Sequence, residues 1–290
     1  MEISTWIQLI TSSILLGGVY AMVAVGLTLI FGVIKIVNFA HGQFLMLGMF
    51  SSFFLWSIFG IDPFLSVIFV LPIFFVVGIF VQRLLIQPIL NAPDYAQIFL
   101  TLGLSIVIEN LALLAWSADF RTARTSYSMY SIDILGIAVS YPRLIACIAS
   151  LVSVAALTLL LKRTNIGRAI RATSMDRYAA QLMGINVNKI YWYSFGIGIA
   201  MTACAGCFLI TFYFTQALMG SMFGVISFII VVLGGLGSIP GALIGSFIIG
   251  VSEGIGGTLI ASEAKSLVAF AIFIMILMAR PQGLFGERIS

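Results

Sequence analysis

Two carboxylates, Glu109 and Glu253, and the chain's one histidine, His41, stand within or beside long apolar runs of a 290-residue sequence. A carboxylate surrounded by hydrocarbon is costly, so such a residue marks a proton or solute path unless a neighbouring helix satisfies it. For Glu109, next to Asn110, path and scaffold are both open; Glu253 sits nearer the end of its apolar run. His41 closes Val37-Asn38-Phe39-Ala40-His41-Gly42-Gln43, a polar, glycine-containing interruption. Asn38 and His41 are of the type that satisfies free backbone groups at a broken helix, with a proton relay at His41 as the alternative. A second interruption is Leu233-Gly234-Gly235-Leu236-Gly237-Ser238-Ile239-Pro240-Gly241. Paired interruptions in two halves of a chain point to internal repeats and a pathway. The candidate pathway or gate residues are therefore Asn38, His41, Gly42, Gln43 and Glu109, with Gly234, Gly235, Gly237, Pro240 and Gly241.

Other chemistry is poorly represented. There is no Gly-Lys pair, hence no phosphate-cradling loop of the Walker type. With one histidine and no clustered acids, no residue is nominated as catalytic and none as a metal ligand. Cys204 and Cys207 form a CxxC inside an apolar run, where that spacing puts two small side chains on one helix face for packing.

A third feature is residues 162–189, KRTNIGRAIRATSMDRYAAQLMGINVNK, which hold six of the chain's 14 Lys and Arg residues. Basic loops between apolar spans stay on the cytoplasmic side, so this island orients the molecule. Within it, residues 176–184 have helix-compatible types ending at Gly184, a residue suited to a C-cap. Ala179, Leu182 and Met183 share one side of that short helix. It either lies on anionic headgroups or inserts into a partner's groove.

The elements that must position these residues follow from composition. Hydrophobic residues make up 61% of the chain and charged residues 8%, with a mean hydropathy of +1.18. Soluble domains carry about 25% charged residues, so this chain cannot cover a surface facing water. A net charge of +4 with no basic stretch interleaved with aromatics excludes a nucleic-acid surface. The expected fold is all-α: one polytopic transmembrane bundle over 1–290, of about eight helical segments with broken or re-entrant helices. A span needs about 20 apolar residues, which predicts spans near 6–32, 40–60, 63–88, 95–117, 143–161, 190–215 and 266–280. The N-terminus, without a cationic region, reads as a retained first helix. Residues 119–141 form the longest polar loop, on the outer side.

The glycine-broken stretch 223–258 either crosses once or forms a hairpin. The hairpin keeps Lys35, Arg83, the island, Arg280 and Arg288 together, and leaves Arg121, Arg124, Arg143 and Lys265 on the other side. It is the expected arrangement. Small residues four apart, as in Gly17/Ala21, Gly198/Thr202/Gly206 and Ser246/Gly250/Gly254, predict close helix contacts.

The island resembles the cytoplasmic coupling loop of ABC importer permeases, whose motif is Glu-Ala-Ala, three residues, then Gly. Here the match is Tyr178-Ala179-Ala180 and Gly184, without the glutamate and without the usual Ile-x-Leu-Pro ending. Three more stretches carry the likeness: Gly32-Val33-Ile34 through Gly42, the Leu233–Gly241 segment, and Arg280-Pro281-Gln282-Gly283-Leu284-Phe285-Gly286. Together they resemble the branched-chain amino-acid permeases, specifically the shorter of two paired permease subunits, along nearly the whole chain. Gln43 departs from that pattern, which commonly has an acid there.

The resemblance implies a multi-pass protein of the inner (cytoplasmic) membrane, embedded in lipid. It implies a second homologous permease subunit, two ATP-binding subunits that hold ATP and Mg, and a periplasmic or extracellular amino-acid-binding protein. No cofactor is then expected on this chain itself. Arg177, Ala179, Ala180, Leu182, Met183 and Gly184 would couple it to the ATPase. Three alternatives remain. One is an ion-driven secondary transporter using Glu109, Glu253 and His41, and another is a passive channel. The third is an ABC permease for urea, amides or sugars.

Overall fold

The structure is a computed structural model that describes residues 3–134, 137–259 and 265–286. Eleven helices appear among the described residues. Nine are apolar: α1 (Ile3–Ile34), α2 (His41–Phe59), α3 (Pro63–Val81), α4 (Asp94–Trp116), α5 (Tyr141–Arg163), α8 (Val187–Leu209), α9 (Met219–Gly234), α10 (Ile239–Leu259) and α11 (Lys265–Ala279). Two more, α6 (Asn165–Met175) and α7 (Arg177–Leu182), occupy the basic island. Seven helices are long and apolar enough to cross a membrane.

The bundle is organised around α1 and α8, the two most buried helices. Apolar burial gives helices in lipid little drive to associate, so close backbone approach has to supply it. The small-residue rows do so. A Cβ at Gly250 would lie 2.8 Å from the Cα of Gly17, and one at Gly198 would lie 2.6 Å from the Gly26 carbonyl. At Gly48 and Gly206 an added Cβ would overlap backbone of α8 and α2 respectively. Cys204 and Cys207 are buried free thiols on that packed face of α8.

Helix ends follow local chemistry. Asp62 caps α3 by accepting from the Phe64 N–H, with Pro63 at the first helical position. Beyond Val81 the helix loosens into a π turn over Gln82–Ile86 and a 3-10 turn at Gln87–Ile89, because Pro88 has no N–H to continue the ladder.

The stretch 223–258 is a helical hairpin, as expected, although its first helix starts earlier, at Met219. Gly245 lies against Ile230, and Gly241 against Gly234, so α9 and α10 run antiparallel. The turn packs on the end of α1 beside Lys35, where a Cβ added at Gly32 would lie 3.3 Å from the Gly237 Cα. Arg83 stacks 5.1 Å over Trp192, just after the island. Lys35, Arg83, the island and Arg280 therefore gather at one end, which is the cytoplasmic end by charge. Arg288 lies outside the described residues.

Two features differ from the sequence expectation. The 190–215 span ends at Leu209, and residues 210–218 are irregular. The all-α bundle of about eight segments stands, with the 223–258 stretch divided into α9 and α10 by the expected hairpin turn. The outer loop is not wholly irregular either. An antiparallel hairpin pairs β1 (Ser131–Ile134) with β2 (Ile137–Ser140), in the register Ile132↔Val139 and Asp133↔Ala138. Its signal was present as two β-branched runs separated by Leu135 and Gly136.

Candidate functional site

The first interruption is a break within the bundle. Residues 35–40 are non-helical and climb back beside α1, so that α2 starts at the level of Val23 rather than at the end of α1. His41 fixes that level: its Nε2 lies 3.0 Å from the Val23 carbonyl and 2.7 Å from Thr202 Oγ1. A carbonyl only accepts, so Nε2 carries the proton. The Thr202 hydroxyl donates to the Gly198 carbonyl at 2.9 Å and can share the imidazole proton as acceptor. His41 thus ties α2 to α1 and α8. Asn38 Oδ1 accepts from the Ala40 N–H at 3.1 Å, closing the turn before α2. Both residues satisfy backbone at the break, which is the first of the two sequence expectations.

One turn into α2, Gln43 reaches across to two other helices. Its Nε2 donates to Glu109 Oε2 at 2.9 Å, and it is 3.1 Å from Ser221 Oγ and 3.2 Å from Ser105 Oγ. Ser221 also donates to Glu109 Oε2, at 2.5 Å. The carboxylate oxygen therefore receives two donors in apolar surroundings, the arrangement that makes a membrane carboxylate tolerable. Glu109 is half-buried on the outer flank of the bundle, not in its interior as a path residue would be by default. Asn110 is exposed and donates to its own helix at Ile106. Gly42 is required here because a Cβ would overlap the Gly220 carbonyl and the backbone of Gly224.

The second interruption lies far from this cluster, at the cytoplasmic end. Gly235 (φ 103°) and Gly237 (φ 87°) adopt backbone conformations that favour glycine. Pro240 sits in the first turn of α10, while Gly234 and Gly241 cross so closely that neither admits a side chain. The last carbonyls of α9 are capped by the C-terminal segment: Leu284 N–H donates to Leu233 O at 2.9 Å and Phe285 N–H to Gly234 O at 3.0 Å. The Arg280–Gly286 motif and the glycine turn are thus one structural unit, a pairing that neither sequence stretch announces alone. The structure brings Asn38, His41, Gly42, Gln43 and Glu109 together, but not with Gly234–Gly241.

Helix α7 is built to be rigid and exposed. Asp176 caps it, accepting from the Tyr178 and Ala179 N–H groups at 2.8 and 3.1 Å. Its C-terminus is a Schellman motif, with Ile185 N–H to Ala180 O at 3.0 Å and Gly184 N–H to Gln181 O at 2.9 Å. Gly184 has φ 82° and open space around its Cα, so glycine is set there by conformation and not by crowding. Ala180 faces inward and is buried. Leu182 and Met183 are 89% and 82% exposed, and Tyr178 and Met175 are also exposed. Arg177 donates to the Tyr178 hydroxyl at 3.1 Å.

Sequence reasoning placed no site residue at a cavity of about 360 Å³, with mixed polar and apolar lining, in the outer half of the bundle. It is lined by Tyr20, Arg143, Tyr213 and Glu253, and the Tyr20 hydroxyl donates to Glu253 Oε2 at 2.9 Å. Those residues come from α1, α5, the 210–218 connection and α10. Only Glu253 carried a signal, as an acid in an apolar run.

Known proteins resemble this chain over nearly all of it. A family model for the branched-chain amino acid transport system permease component matches residues 9–277. LivH of Salmonella typhimurium, described as a high-affinity branched-chain amino acid transport system permease protein, is 31% identical over 97% of this chain and 96% of its own length. BraD of Pseudomonas aeruginosa, described in the same terms, is 30% identical over 99% and 97%. Among solved structures, PsaBC from Streptococcus pneumoniae in complex with Fab is 16% identical, covers 95% of this chain and 91% of that one, and superposes with a TM-score of 0.50. At that identity the likeness concerns the fold alone. With the family model running from within α1 to within α11 and covering the island between them, this multi-pass membrane protein belongs to the branched-chain amino acid transport system permease component family.

Proposed function

We propose that this chain is one of two permease subunits of an ABC importer in the cytoplasmic membrane, moving branched-chain or other apolar amino acids. In this reading two separate ATP-binding subunits drive it, and an extracytoplasmic binding protein feeds it. The observation that carries the proposal is α7: a short helix capped at both ends that holds Leu182, Met183 and Tyr178 out into water beside a basic helix. Exposed apolar side chains on a rigid helix are the means by which a helix docks in a partner's groove. The 176–184 segment is then the element that follows ATPase closure.

The 38–43 break is the proposed gate. Asn38 Nδ2, His41 Nδ1 and Gln43 Oε1 are buried without a hydrogen-bond partner among the described residues. Each such group costs about 1–3 kcal/mol, which a rearranged or hydrated conformation relieves. Glu109 and Ser221 lie on an exposed face with Leu102 and Ile106 of α4, suited to cover by the second permease. The test of docking is co-purification of the ATP-binding subunits with Leu182→Glu and Met183→Glu variants. Loss of the ATPase from a normally inserted permease is the expected result; retention of it refutes docking through α7.

A further inference from the structure

The cavity between the outer halves of α1 and α10 plays no part in docking or in the gate at Gln43. The first turn of α9 separates it from the Gln43–Glu109 cluster: Ser221 bonds Glu109, and the next residue, Met222, lines the cavity. Its lining carries both a carboxylate and a guanidinium. At one place Glu253, 5% exposed, is oriented by the Tyr20 hydroxyl. The opposite charge comes from Arg143, half-buried near the start of α5, with its guanidinium 5.5 Å above the Phe212 ring. Tyr213 adds a second phenol, packed edge-on 5.7 Å from Phe223. Leu16 and Met222 supply apolar wall, and Gly250 and Gly254 pack so closely on α1 that a Cβ at either would overlap Gly17 or Ser13. The volume, about 360 Å³, is at the small end of ligand pockets, which run from about 300 to 1,000 Å³.

We infer that this cavity is a binding site for a small zwitterion with an apolar side chain: a free amino acid held within this one subunit. The ammonium group goes to Glu253 and Tyr20, the carboxylate to Arg143, whose planar fork suits two-point pairing with a carboxylate. The side chain lies against Leu16 and Met222. An ammonium beside an anion also describes a phosphatidylethanolamine headgroup, and the volume of about 360 Å³ favours the free amino acid. The inference rests on the proposed function for the identity of the solute, and it adds where that solute pauses.

The test uses the assembled transporter in nanodiscs of phosphatidylglycerol alone, with radiolabelled leucine as the probe. Competitors are isoamylamine, which lacks the carboxylate, and 4-methylpentanoate, which lacks the amine. Glu253→Gln is expected to weaken leucine and isoamylamine by about tenfold or more and to leave 4-methylpentanoate unchanged. Arg143→Gln is expected to weaken leucine and 4-methylpentanoate and to spare isoamylamine. A merely structural role would move all three together, and that result overturns the site, as does unchanged affinity in both variants. Leucine binding seen only as displacement of added phosphatidylethanolamine would assign the cavity to lipid and overturn it too. If Glu253→Gln fails to assemble, Tyr20→Phe takes its place and carries the same expectation. With the same complexes in proteoliposomes, wild type that takes up no leucine refutes the transport function, whereas normal uptake together with unaltered nanodisc affinity in both variants refutes the cavity alone.

Discussion

At the scale of single residues, His41 and Tyr127 show how one polar group can hold a segment in place. His41 bonds α1 and α8 from the first position of α2. Replacing it with leucine leaves the Val23 and Thr202 oxygens facing an apolar group, at a cost of about 1–3 kcal/mol. A lowered unfolding midpoint in detergent is the expected readout. His41→Gln, which can donate to the same carbonyl, should recover much of the loss, whereas a proton relay would not be recovered. Outside the spans, Tyr127 donates to Asp62 Oδ2 at 2.6 Å and stacks near Phe64, pinning the 117–140 segment to the start of α3. Burial, then that hydrogen bond, pushes the Tyr127 hydroxyl well above the usual phenol value. The sign follows: the attachment is fully present below about pH 10, the ordinary value, and is lost only as pH rises through the higher folded value. Tyr127→Phe should expose 117–140 to protease at neutral pH, while the wild type stays protected until strongly alkaline conditions.

At the scale of elements, close helix approach is the organising interaction, and glycines divide sharply by whether they take part. A Cβ at Gly48 would overlap backbone of Ala203 in α8, whereas Gly103 on α4 has nothing within 4 Å. Gly48→Val is therefore expected to destabilise the protein by about 3 kcal/mol. Gly103→Ala should be neutral or stabilising by up to about 1 kcal/mol, since it adds helix propensity without a clash. Thermal unfolding of the two variants in one detergent checks both. The small-residue rows on α1, α8 and α10 were legible in the sequence because their spacing alone defines a helix face. The 35–40 climb was legible only as an interruption, because its depth depends on His41 meeting Val23, 18 residues away in sequence. The pairing of Phe285 with Gly234 was not legible, since two glycine-rich stretches with no complementary side chains meet through backbone alone. The outer cavity escaped for a similar reason. Tyr20, Arg143 and Tyr213 are ordinary residues until four elements bring them around Glu253.

At the scale of the whole molecule, polarity is sorted by depth. Positive charge collects at the α6–α7 end, a carboxylate–amide–hydroxyl cluster lies at the start of α2, and a mixed-charge cavity lies beyond it towards the hairpin end. Helix α4 is the least buried of the seven spans and presents Leu102, Ile106 and Glu109 outward. Covering that flank with a second permease predicts that cysteines placed at Leu102 or Ile106 crosslink to the partner subunit and not to lipid-facing sites on α3. The most direct measurement is leucine uptake into proteoliposomes holding the wild-type complex or its Leu182→Glu variant, with ATP and a proton gradient supplied separately. Uptake by the wild type that requires ATP, ignores the gradient and is abolished by Leu182→Glu is the predicted result. Uptake that persists without ATP and collapses with the proton gradient would contradict it, and would return the weight to Glu109 and Glu253 as ion-coupling groups.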